Sequence, residues 1–335
     1  MAQDKTIVVS NLAFPETLEL LSAHGTVVAN RSAQPWPDLE VRDRCRNADA
    51  LMAFMTDRVD AAFIDACPRL KVIGAALKGY DNIDAAAAEQ AGVWVTIVPD
   101  LLTIPTAELA VGLMLSLGRH IVQGDGEIRR NGFHGWRPTF YGRGLDGATV
   151  GIVGFGRVGQ AIAERLSGFR CRIIAFDARA TASAPSAGVE MAPLAEVISA
   201  SDFVVLALPL TGDTQHIIGR SAIAAMKPGA LLVNPARGSL VDEAAVADAI
   251  AAGHLAGYAA DVFQCEDWAR QDRPDGIDPR LTAREAQTVL TPHIGSAVTT
   301  VRREIEMAAA HSIIEALSGG VPSGAVNEPK RPRAC

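Results

Sequence analysis

The sequence predicts an α/β protein built on two doubly wound parallel sheets, and three observations support this fold class. Short apolar runs rich in β-branched residues alternate with helical stretches along the chain, as in parallel sheets with crossover helices. Runs such as FVVLAL (203–208) and ALLV (230–233) are continuously apolar, which is typical of strands buried on both faces. The length of 335 residues favours two domains.

Ten apolar runs are the candidate strands of these sheets. They cover residues 6–9, 51–55, 72–77, 94–98, 149–154, 172–176, 203–208, 230–234, 257–262 and 288–290. Residues 101–119 predict a helix that links the domains, because Pro105 lies near its start and apolar residues follow without a breaker. Residues 124–147 are rich in glycine and aromatic side chains, which predicts an arm packing on another surface or an irregular connection. The tail 322–335 has little to bury and predicts a loose extension.

Composition and charge argue against several classes of protein. With 49% hydrophobic and 21% charged residues, the bulk of the chain is predicted to be globular. The formal net charge of −7 is unfavourable for binding nucleic acid, whose phosphates are negative. The sequence begins without the long apolar stretch of a signal peptide, and the apolar window 109–118 is too short to span a bilayer. We therefore expect neither a nucleic-acid partner nor a membrane anchor.

Cysteine and histidine spacing bears on redox compartment and metal binding. The five cysteines are odd in number and scattered, which predicts reduced thiols and a cytoplasmic location rather than a disulfide framework. The seven histidines show no H-x-x-x-H spacing, and none lies within a few residues of a cysteine. No metal site is therefore predicted.

A glycine-rich turn joins an apolar strand to a helix in the middle of the chain. In ATVGIVGFGRVGQAIAERL, Gly154, Gly156 and Gly159 stand in G-x-G-x-x-G order between the two elements. The first glycine permits a tight turn, the second lets the main chain approach a pyrophosphate, and the third allows close packing of helix on strand. The pyrophosphate would lie at the helix N-terminus, where N–H groups are unpaired. A dinucleotide site that includes Arg157 and Val158 is therefore predicted.

A carboxylate at the end of the next strand bears on the choice of cofactor. Asp177 ends the strand CRIIAF, 18 residues after Gly159, where it can accept hydrogen bonds from the ribose diol of NAD. The same charge repels the 2′-phosphate of NADP, so NAD is the predicted cofactor. Arg179 could bind a 2′-phosphate or be a solvated surface charge, so tolerance of NADP stays open.

Three polar residues follow the ends of successive apolar runs downstream of the glycine motif. They are Arg237 in NPARGSLVDE, Glu266 in ADVFQCED and His293 in TPHIGSA. Together they can form one chemical unit, in which a fixed cation holds an anionic substrate and a carboxylate orients a titratable imidazole. Taken singly, each could instead be structural: a satisfied histidine, a loop salt bridge and a solvated acid.

The order of these motifs resembles that of the D-2-hydroxyacid dehydrogenase family over nearly the whole chain. The motifs are GxGxxG, the aspartate at 177, ARGSLVDE, DVFxxE and TPHIG. The resemblance implies two Rossmann-like domains. Residues 1–100 and 296–335 would form a discontinuous substrate domain, and residues 101–295 the NAD-binding domain. It also implies a homodimer formed through the NAD-binding domain. By the same resemblance, Arg237 orients substrate, His293 performs acid/base chemistry and Glu266 supports the histidine.

Within that family the sequence resembles the phosphonate dehydrogenases, which oxidise phosphite to phosphate with NAD. The runs that carry this resemblance are MAFM (52–55), LKGYDN (77–82), VPDLLTIPTAEL (98–109), GWRPTFYG (135–142), AADVFQCEDWARQDRP (259–274) and TPHIGSAV (291–298). Lys78 is the most informative residue, because the position before the glycine of G-x-D-N-x-D is ordinarily small or apolar in the wider family. The substrate site implied by this resemblance consists of Lys78, Met55, Leu77, Gly79, Trp136, Tyr141, Ser296 and Arg302. The further cofactor contacts are Thr106, Pro209, Ala236 and Asp261.

Four positions depart from these patterns. Gln264 and Cys265 stand where glutamate and methionine are expected, and Ala236 stands where cysteine is common. Asp177 stands where the phosphonate enzymes have glutamate, which keeps the carboxylate. None of the four replaces a predicted catalytic group.

The leading functional hypothesis is oxidation of phosphite with hydride transfer to NAD. Lys78 and Arg237 would supply positive charge to the anion, and His293 would accept a proton from the attacking water. The alternative is a D-2-hydroxyacid dehydrogenase acting on a small carbon 2-hydroxy acid, which shares every residue except the argument from Lys78. Taken by themselves, Lys78 could be a surface lysine, and Trp136 and Tyr141 could serve packing. A third hypothesis is a nucleotide-sensing, corepressor-type binding protein on the same scaffold. The complete catalytic set argues against it.

Overall fold

The computed structural model of this protein describes residues 5–179, 188–267, 270–283 and 287–333. The chain divides into two compact units. Unit 1 comprises Met1–Leu102, Trp268–Gln271 and Ala297–Cys335, and unit 2 comprises Thr103–Asp267 and Asp272–Ser296. Positions 268 and 269 of the run 259–274, and the cysteine at 335, lie outside the described residues.

Unit 1 begins with alternating strands and helices. Its elements are β1 (Thr6–Val9), α1 (Pro15–Ser22), β2 (Thr26–Ala29), α2 (Asp38–Cys45), β3 (Ala50–Ala53), α3 (Ala61–Ala66), β4 (Val72–Ala75), α4 (Ala85–Gln90) and β5 (Trp94–Thr96). The five strands form one parallel sheet in the order β2-β1-β3-β4-β5. Alternate side chains of the central strands enter two apolar clusters, one on each face of the sheet. Burial on both faces explains why these strands are apolar throughout.

Unit 2 is the larger α/β unit and carries the glycine motif. Its elements are α5 (Thr103–Gly118), α6 (Ile121–Asn131), β6 (Thr149–Val153), α7 (Arg157–Leu166), β7 (Arg172–Phe176), β8 (Val189–Met191), α8 (Leu194–Ala200), β9 (Phe203–Leu206), α9 (Arg220–Ala225), β10 (Ala230–Asn234), α10 (Glu243–Ala251), β11 (Leu255–Ala260), α11 (Pro279–Thr282) and β12 (Thr288–Leu290). The seven strands form a parallel sheet in the order β12-β11-β10-β9-β6-β7-β8. The order reverses between β6 and β9, which creates a topological switch point beside the glycine motif.

The last helix, α12 (Thr299–Leu317), belongs to unit 1. Ile305, Ala309, Ala310 and Ile313 are its most buried apolar side chains, and they join the cluster formed by alternate residues of β1, β3 and β4. Unit 1 is therefore completed by a chain segment from the far end of the sequence.

The prediction of two doubly wound parallel α/β sheets is confirmed. Two short strands, β2 and β8, were absent from the predicted set, because they lie at sheet edges and their side chains are only partly buried. The segment 124–147 also differs from its prediction. Its first part belongs to helix α6, and the irregular arm begins at Gly132, where the backbone φ is 78°.

The C-terminal tail is docked through residue 333, so the prediction of a loose extension is wrong for its described part. Residues 324–326 run antiparallel beside the edge strand β5: Ile97 donates to the Gly324 carbonyl and Val326 to the Val95 carbonyl, both at 2.9 Å. Arg333 also donates to the carbonyl of Leu70 at 2.9 Å. A sheet edge presents unpaired N–H and C=O groups, and such a segment can pair with them without burying apolar side chains.

Across the parts of the chain that the structure describes, none of the helices combines the length and the apolar character needed to cross a membrane.

Candidate active site

The predicted catalytic and cofactor residues of unit 2 gather at the carboxyl ends of its strands. The glycine motif follows β6, an interior strand of the sheet, and Arg237, Glu266 and His293 follow β10, β11 and β12. These three strands are consecutive neighbours at one side of the sheet. Parallel strands present all their carboxyl ends at one edge, and open α/β sheets bind ligands there.

The glycine motif forms a tight loop between β6 and α7. Gly154 has a φ of +99°, and a Cβ there would lie 2.5 Å from the Ala207 carbonyl oxygen. A Cβ on Gly159 would lie 2.2 Å from the Gly154 carbonyl oxygen, which explains how α7 packs so closely on the strand. By contrast, nothing lies within 4 Å of the Cβ position of Gly156 at the start of the helix. This open approach to a helix N-terminus fits a pyrophosphate.

Asp177 lies beside this loop and is bonded to it. Its Oδ2 accepts the backbone N–H of Phe155 at 2.9 Å, and its Oδ1 accepts the backbone N–H of Arg179 at 2.8 Å. Each carboxylate oxygen keeps acceptor capacity for a further donor such as a ribose hydroxyl. Asp177 is half-buried and Arg179 is exposed. Binding of a ribose by Asp177 stays a prediction.

His293 and Glu266 form a direct pair. Nδ1 of His293 lies 2.9 Å from Oε2 of Glu266, and about a quarter of each side chain is exposed, 26% and 27%. The other carboxylate oxygen, Oε1, accepts the backbone N–H of Phe263 at 2.8 Å. When the carboxylate accepts the Nδ1–H, Nε2 is the ring nitrogen left to exchange a proton.

The backbone at His293 is unusual. Its φ is 53°, a left-handed conformation that non-glycine residues adopt rarely and that recurs at functional sites. Asp261, which is buried, holds this loop: its Oδ1 accepts the Ile294 N–H at 2.8 Å and its Oδ2 the Gly295 N–H at 2.7 Å. Burial raises the pKa of the Asp261 carboxyl, and the hydrogen bonds from the loop oppose that shift.

Arg237 lies on the loop after β10, directly before a 3₁₀ turn at Gly238–Leu240. Its side chain is half-buried, and Nη1 donates to the Ala236 carbonyl at 2.8 Å. The side chain of Asn234 donates to the Arg237 carbonyl at 2.8 Å and also accepts the Ala236 N–H at 3.1 Å. The last residue of β10 therefore shapes the loop that presents the guanidinium.

The remaining predicted cofactor residues also lie at strand ends or helix starts in unit 2. Thr106 is on the first turn of α5, where its hydroxyl donates to the Gly295 carbonyl at 3.5 Å. Pro209 follows β9 and is exposed, and its carbonyl accepts the Thr214 hydroxyl at 2.8 Å. Arg157 is exposed and Val158 is half-buried on the first turn of α7. Their contacts with cofactor stay predictions.

In unit 1, five predicted substrate residues lie on the loops after β3 and β4 and on helix α12. Met55 follows β3, and Leu77, Lys78 and Gly79 follow the neighbouring strand β4. Arg302, on α12, donates from Nη1 to the Ala76 carbonyl at 3.1 Å, and its guanidinium lies 6.0 Å from the centre of the Phe54 ring. Leu77 is buried, whereas Lys78 and Gly79 are half-buried.

Two loops of unit 1 are joined by residues that sequence reasoning missed. Asn82 donates from Nδ2 to the Phe54 carbonyl at 3.2 Å and to the Asp57 carbonyl at 2.7 Å. Asp57 is buried and accepts the Phe54 N–H at 2.7 Å. Asp57 lies two residues after the run MAFM, and Asn82 is the last residue of the run LKGYDN. Their positions in or next to these runs are the sequence signal that could have identified them.

Three predicted substrate residues lie in unit 2. Ser296 is buried at the end of the His293 loop. Trp136 and Tyr141 lie on the arm between α6 and β6, with 77% and 76% of their surface exposed. Within this chain the structure leaves both aromatic rings exposed, and their role in substrate binding stays a prediction.

In the described residues there is no group of three or more histidine, cysteine, aspartate or glutamate side chains arranged to hold a metal ion.

Comparisons with known proteins identify the family. The family described as "D-isomer specific 2-hydroxyacid dehydrogenase, NAD binding domain" matches residues 111–295, which confirms the predicted cofactor, NAD. A glyoxylate reductase from Pyrococcus furiosus is 38% identical over 324 residues, covering 94% of each chain.

Solved structures agree with this assignment. The TT0316 protein from Thermus thermophilus is 33% identical with a TM-score of 0.86, covering 96% of this chain and 99% of its own. A Sinorhizobium meliloti glyoxylate/hydroxypyruvate reductase, solved with NADP and malonate, is 28% identical with a TM-score of 0.84, covering 99% and 100%. The names of these relatives support the hydroxyacid alternative better than the predicted phosphonate dehydrogenase. The chain belongs to the D-isomer specific 2-hydroxyacid dehydrogenase family.

Proposed function

We propose that this protein is an NAD-dependent oxidoreductase that transfers a hydride between the nicotinamide and a small anionic substrate. The observation that carries the proposal is the 2.9 Å contact between His293 Nδ1 and Glu266 Oε2 in the same unit as the glycine motif. An imidazole oriented by a carboxylate at a strand end is suited to exchange one proton per turnover.

The bound cofactor supplies the hydride acceptor or donor. Arg237 offers a planar fork of N–H donors that matches a carboxylate or another oxyanion. His293 gives a proton to the carbonyl oxygen when a 2-oxo acid is reduced, and it takes the proton from the hydroxyl in the reverse direction. Glu266 holds the ring so that Nε2 faces this task.

The first substrate candidate is a small 2-oxo acid such as glyoxylate, with the corresponding 2-hydroxy acid as the product. The glyoxylate reductase from Pyrococcus furiosus aligns over 94% of this chain, and this similarity favours the candidate. One carboxylate on the substrate matches one guanidinium, that of Arg237.

The second candidate is phosphite, and a specific observation favours it. Lys78 follows β4 in the LKGYDN run, next to the loop that carries Met55. A phosphite dianion has a second negative charge, for which this ammonium group is a suitable partner. In the reaction, water adds to phosphorus, the P–H hydrogen leaves as hydride to NAD, and His293 accepts the proton lost by the water.

One assay separates these candidates. Purified protein is mixed with NADH and glyoxylate or hydroxypyruvate, and separately with NAD and phosphite, D-lactate or D-glycerate, while absorbance at the NADH band is followed. Rapid NADH loss with a 2-oxo acid supports the first candidate. NADH formation with one phosphate per NADH supports phosphite. Absence of turnover with every substrate contradicts the enzyme proposal and favours a nucleotide-sensing binding protein.

Three further predictions concern organisation. Unit 1 would be the substrate domain, since it holds Lys78 and Arg302. Exposed apolar side chains on α6 and the arm, such as Ile128 and Trp136, support a homodimer, which light scattering would show as twice 35.2 kDa. Cys45, Cys67, Cys171 and Cys265 are free thiols, which supports a cytoplasmic location.

A further inference from the structure

We propose that Glu243 is a positioning residue, which locks the turn carrying Glu266 to the loop carrying Arg237. This inference rests on the proposed function of the His293–Glu266 pair. It assigns a role to a buried carboxylate that does not belong to the predicted site.

The turn that carries Glu266 is bonded to Glu243 in both directions. Oε1 of Glu243 accepts the backbone N–H of Gln264 at 2.7 Å, and the side-chain oxygen of Gln264 accepts the backbone N–H of Glu243 at 3.1 Å. Gln264 begins the short 3₁₀ turn that ends at Glu266. This reciprocal pair therefore fixes the start of the turn two residues before Glu266.

Gln264 makes a third contact, with His216, through the nitrogen of its side-chain amide. The side-chain oxygen of Gln264 already accepts the Glu243 N–H, so the amide nitrogen is the group left for a further contact. Gln264 Nε2 donates to the ring nitrogen Nε2 of His216 at 2.8 Å, and this ring nitrogen is therefore the acceptor. The backbone of His216 also donates to the Ser239 carbonyl at 2.8 Å, on the loop after Arg237. The glutamine that departs from the family pattern at this position thus links three segments.

The Arg237 loop touches the same turn directly. A Cβ on Gly238 would lie 1.9 Å from the Phe263 carbonyl carbon, so only glycine allows this approach. The next residue, Ser239, donates its backbone N–H to Oδ2 of Asp267 at 2.6 Å. The loop and the turn are therefore joined on both sides of Glu266, and Glu243 is the buried group at one end of this junction.

The chemistry of Glu243 suggests the replacement that should preserve its role. Burial raises the pKa of its carboxyl to about 7, and the charges of Asp267 and Asp278 act in the same direction, whereas backbone hydrogen bonds oppose them. Near neutral pH an amide is then a close substitute, because its oxygen can still accept the Gln264 N–H. Alanine cannot.

The experiment compares Glu243→Ala and Glu243→Gln with Asp248→Ala, which removes from the same helix a partly exposed carboxylate that pairs with Arg220 and Arg280 rather than with the Glu266 turn. In Glu243→Ala we expect kcat to fall roughly 10- to 100-fold while KM for NAD changes less than about 2-fold, because a small displacement of a catalytic group is costly. Glu243→Gln should keep at least about half of the wild-type kcat, as should Asp248→Ala. Equal losses in both Glu243 variants, or a wild-type kcat in Glu243→Ala, would overturn the proposal.

A second measurement does not depend on turnover. Hydrogen exchange of the intact protein, followed by mass spectrometry, reports on the backbone amides of residues 264–267. These amides should exchange at least about 10-fold faster in Glu243→Ala than in wild type, Glu243→Gln or Asp248→Ala. Unchanged exchange in Glu243→Ala would contradict the proposed positioning role of Glu243, whether or not the wild-type protein turns over a substrate. Absence of turnover by the wild-type protein would count against the proposed function alone.

Discussion

Asp261 holds the loop of His293 through the main chain rather than through the imidazole. The Asp261 carbonyl accepts the His293 N–H at 2.8 Å, and the Asp261 carboxylate accepts the N–H groups of the next two residues. These bonds maintain the left-handed backbone at His293 independently of its side chain. The side chain can therefore be replaced without releasing the loop.

His293→Asn is expected to lower kcat about 10²- to 10⁴-fold, because proton transfer is lost. Asparagine tolerates the left-handed φ of 53° better than most residues, so the loop should persist. Steady-state kinetics measures the loss, and NADH fluorescence titration checks that cofactor binding is retained. A variant with near-normal kcat at neutral pH would remove His293 from the acid/base role.

Arg237→Lys is expected to raise KM for the anionic substrate about 10-fold or more, because a planar two-pronged donor is replaced by a point charge. KM for NAD should stay within about 2-fold. Arg220→Lys is the matched control, since Arg220 is exposed and paired with Asp248 on the surface. If both variants behaved like wild type, Arg237 would not be the group that orients substrate.

Asp177→Ala is expected to raise the kcat/KM for NADP relative to NAD. The substitution removes the charge that repels a 2′-phosphate and leaves Arg179 in place. Because Asp177 also accepts the Phe155 N–H, efficiency with NAD should fall as well. Kinetics with both cofactors in the wild type and the variant gives the ratio. An unchanged ratio would place Asp177 outside the ribose site.

Lys78→Ala tests the choice of substrate. A charge-assisted hydrogen bond contributes about 1.5–3 kcal/mol, so its loss should raise KM for phosphite by roughly 10- to 150-fold. Glyoxylate reduction should change far less, because Arg237 alone can hold one carboxylate. Lys71→Ala is a comparison at the residue just before β4, where the ammonium group pairs with Asp49. A Lys78 variant with unaltered phosphite kinetics, or a wild type without phosphite oxidation, would contradict this role.

Asp57→Asn is expected to change how stability depends on pH. Burial raises the pKa of the Asp57 carboxyl from 3.8 to about 6, so the folded protein binds this proton more tightly than the unfolded chain does. The wild-type free energy of unfolding should therefore fall, relative to the variant, as pH rises from about 4 to about 6 and then level off. The full change is at most about 3 kcal/mol.

Urea unfolding of wild type and Asp57→Asn at pH 4, 5 and 7 measures this change. Asp65→Asn is the control, because it removes the charge of an exposed carboxyl on α3 of the same unit. A difference between wild type and Asp57→Asn that stayed constant with pH would show that the carboxyl is not perturbed in this way.

The sequence alone was sufficient to predict the interior strands of unit 2 and to single out its candidate catalytic and cofactor residues. Buried strands such as β9 and β10 must be apolar on both faces, and a dinucleotide loop needs glycines at 154 and 159, so both leave patterns of local spacing. Arg237, Glu266 and His293 could be found because each follows a recognisable strand. Their shared sheet edge follows from parallel topology.

Only the tertiary structure decided which distant groups bond to one another. The edge strands β2 and β8 are too short and too exposed to leave an apolar pattern. The tail docks on β5 through backbone groups, which every residue carries and which no sequence pattern reports. In the sequence, nothing distinguishes Glu243 from the neighbouring acid in ARGSLVDE, whereas the folded structure buries it and bonds it to Gln264. Spacing along the chain determines local conformation, whereas hydrogen bonds between segments far apart in sequence depend on the folded arrangement.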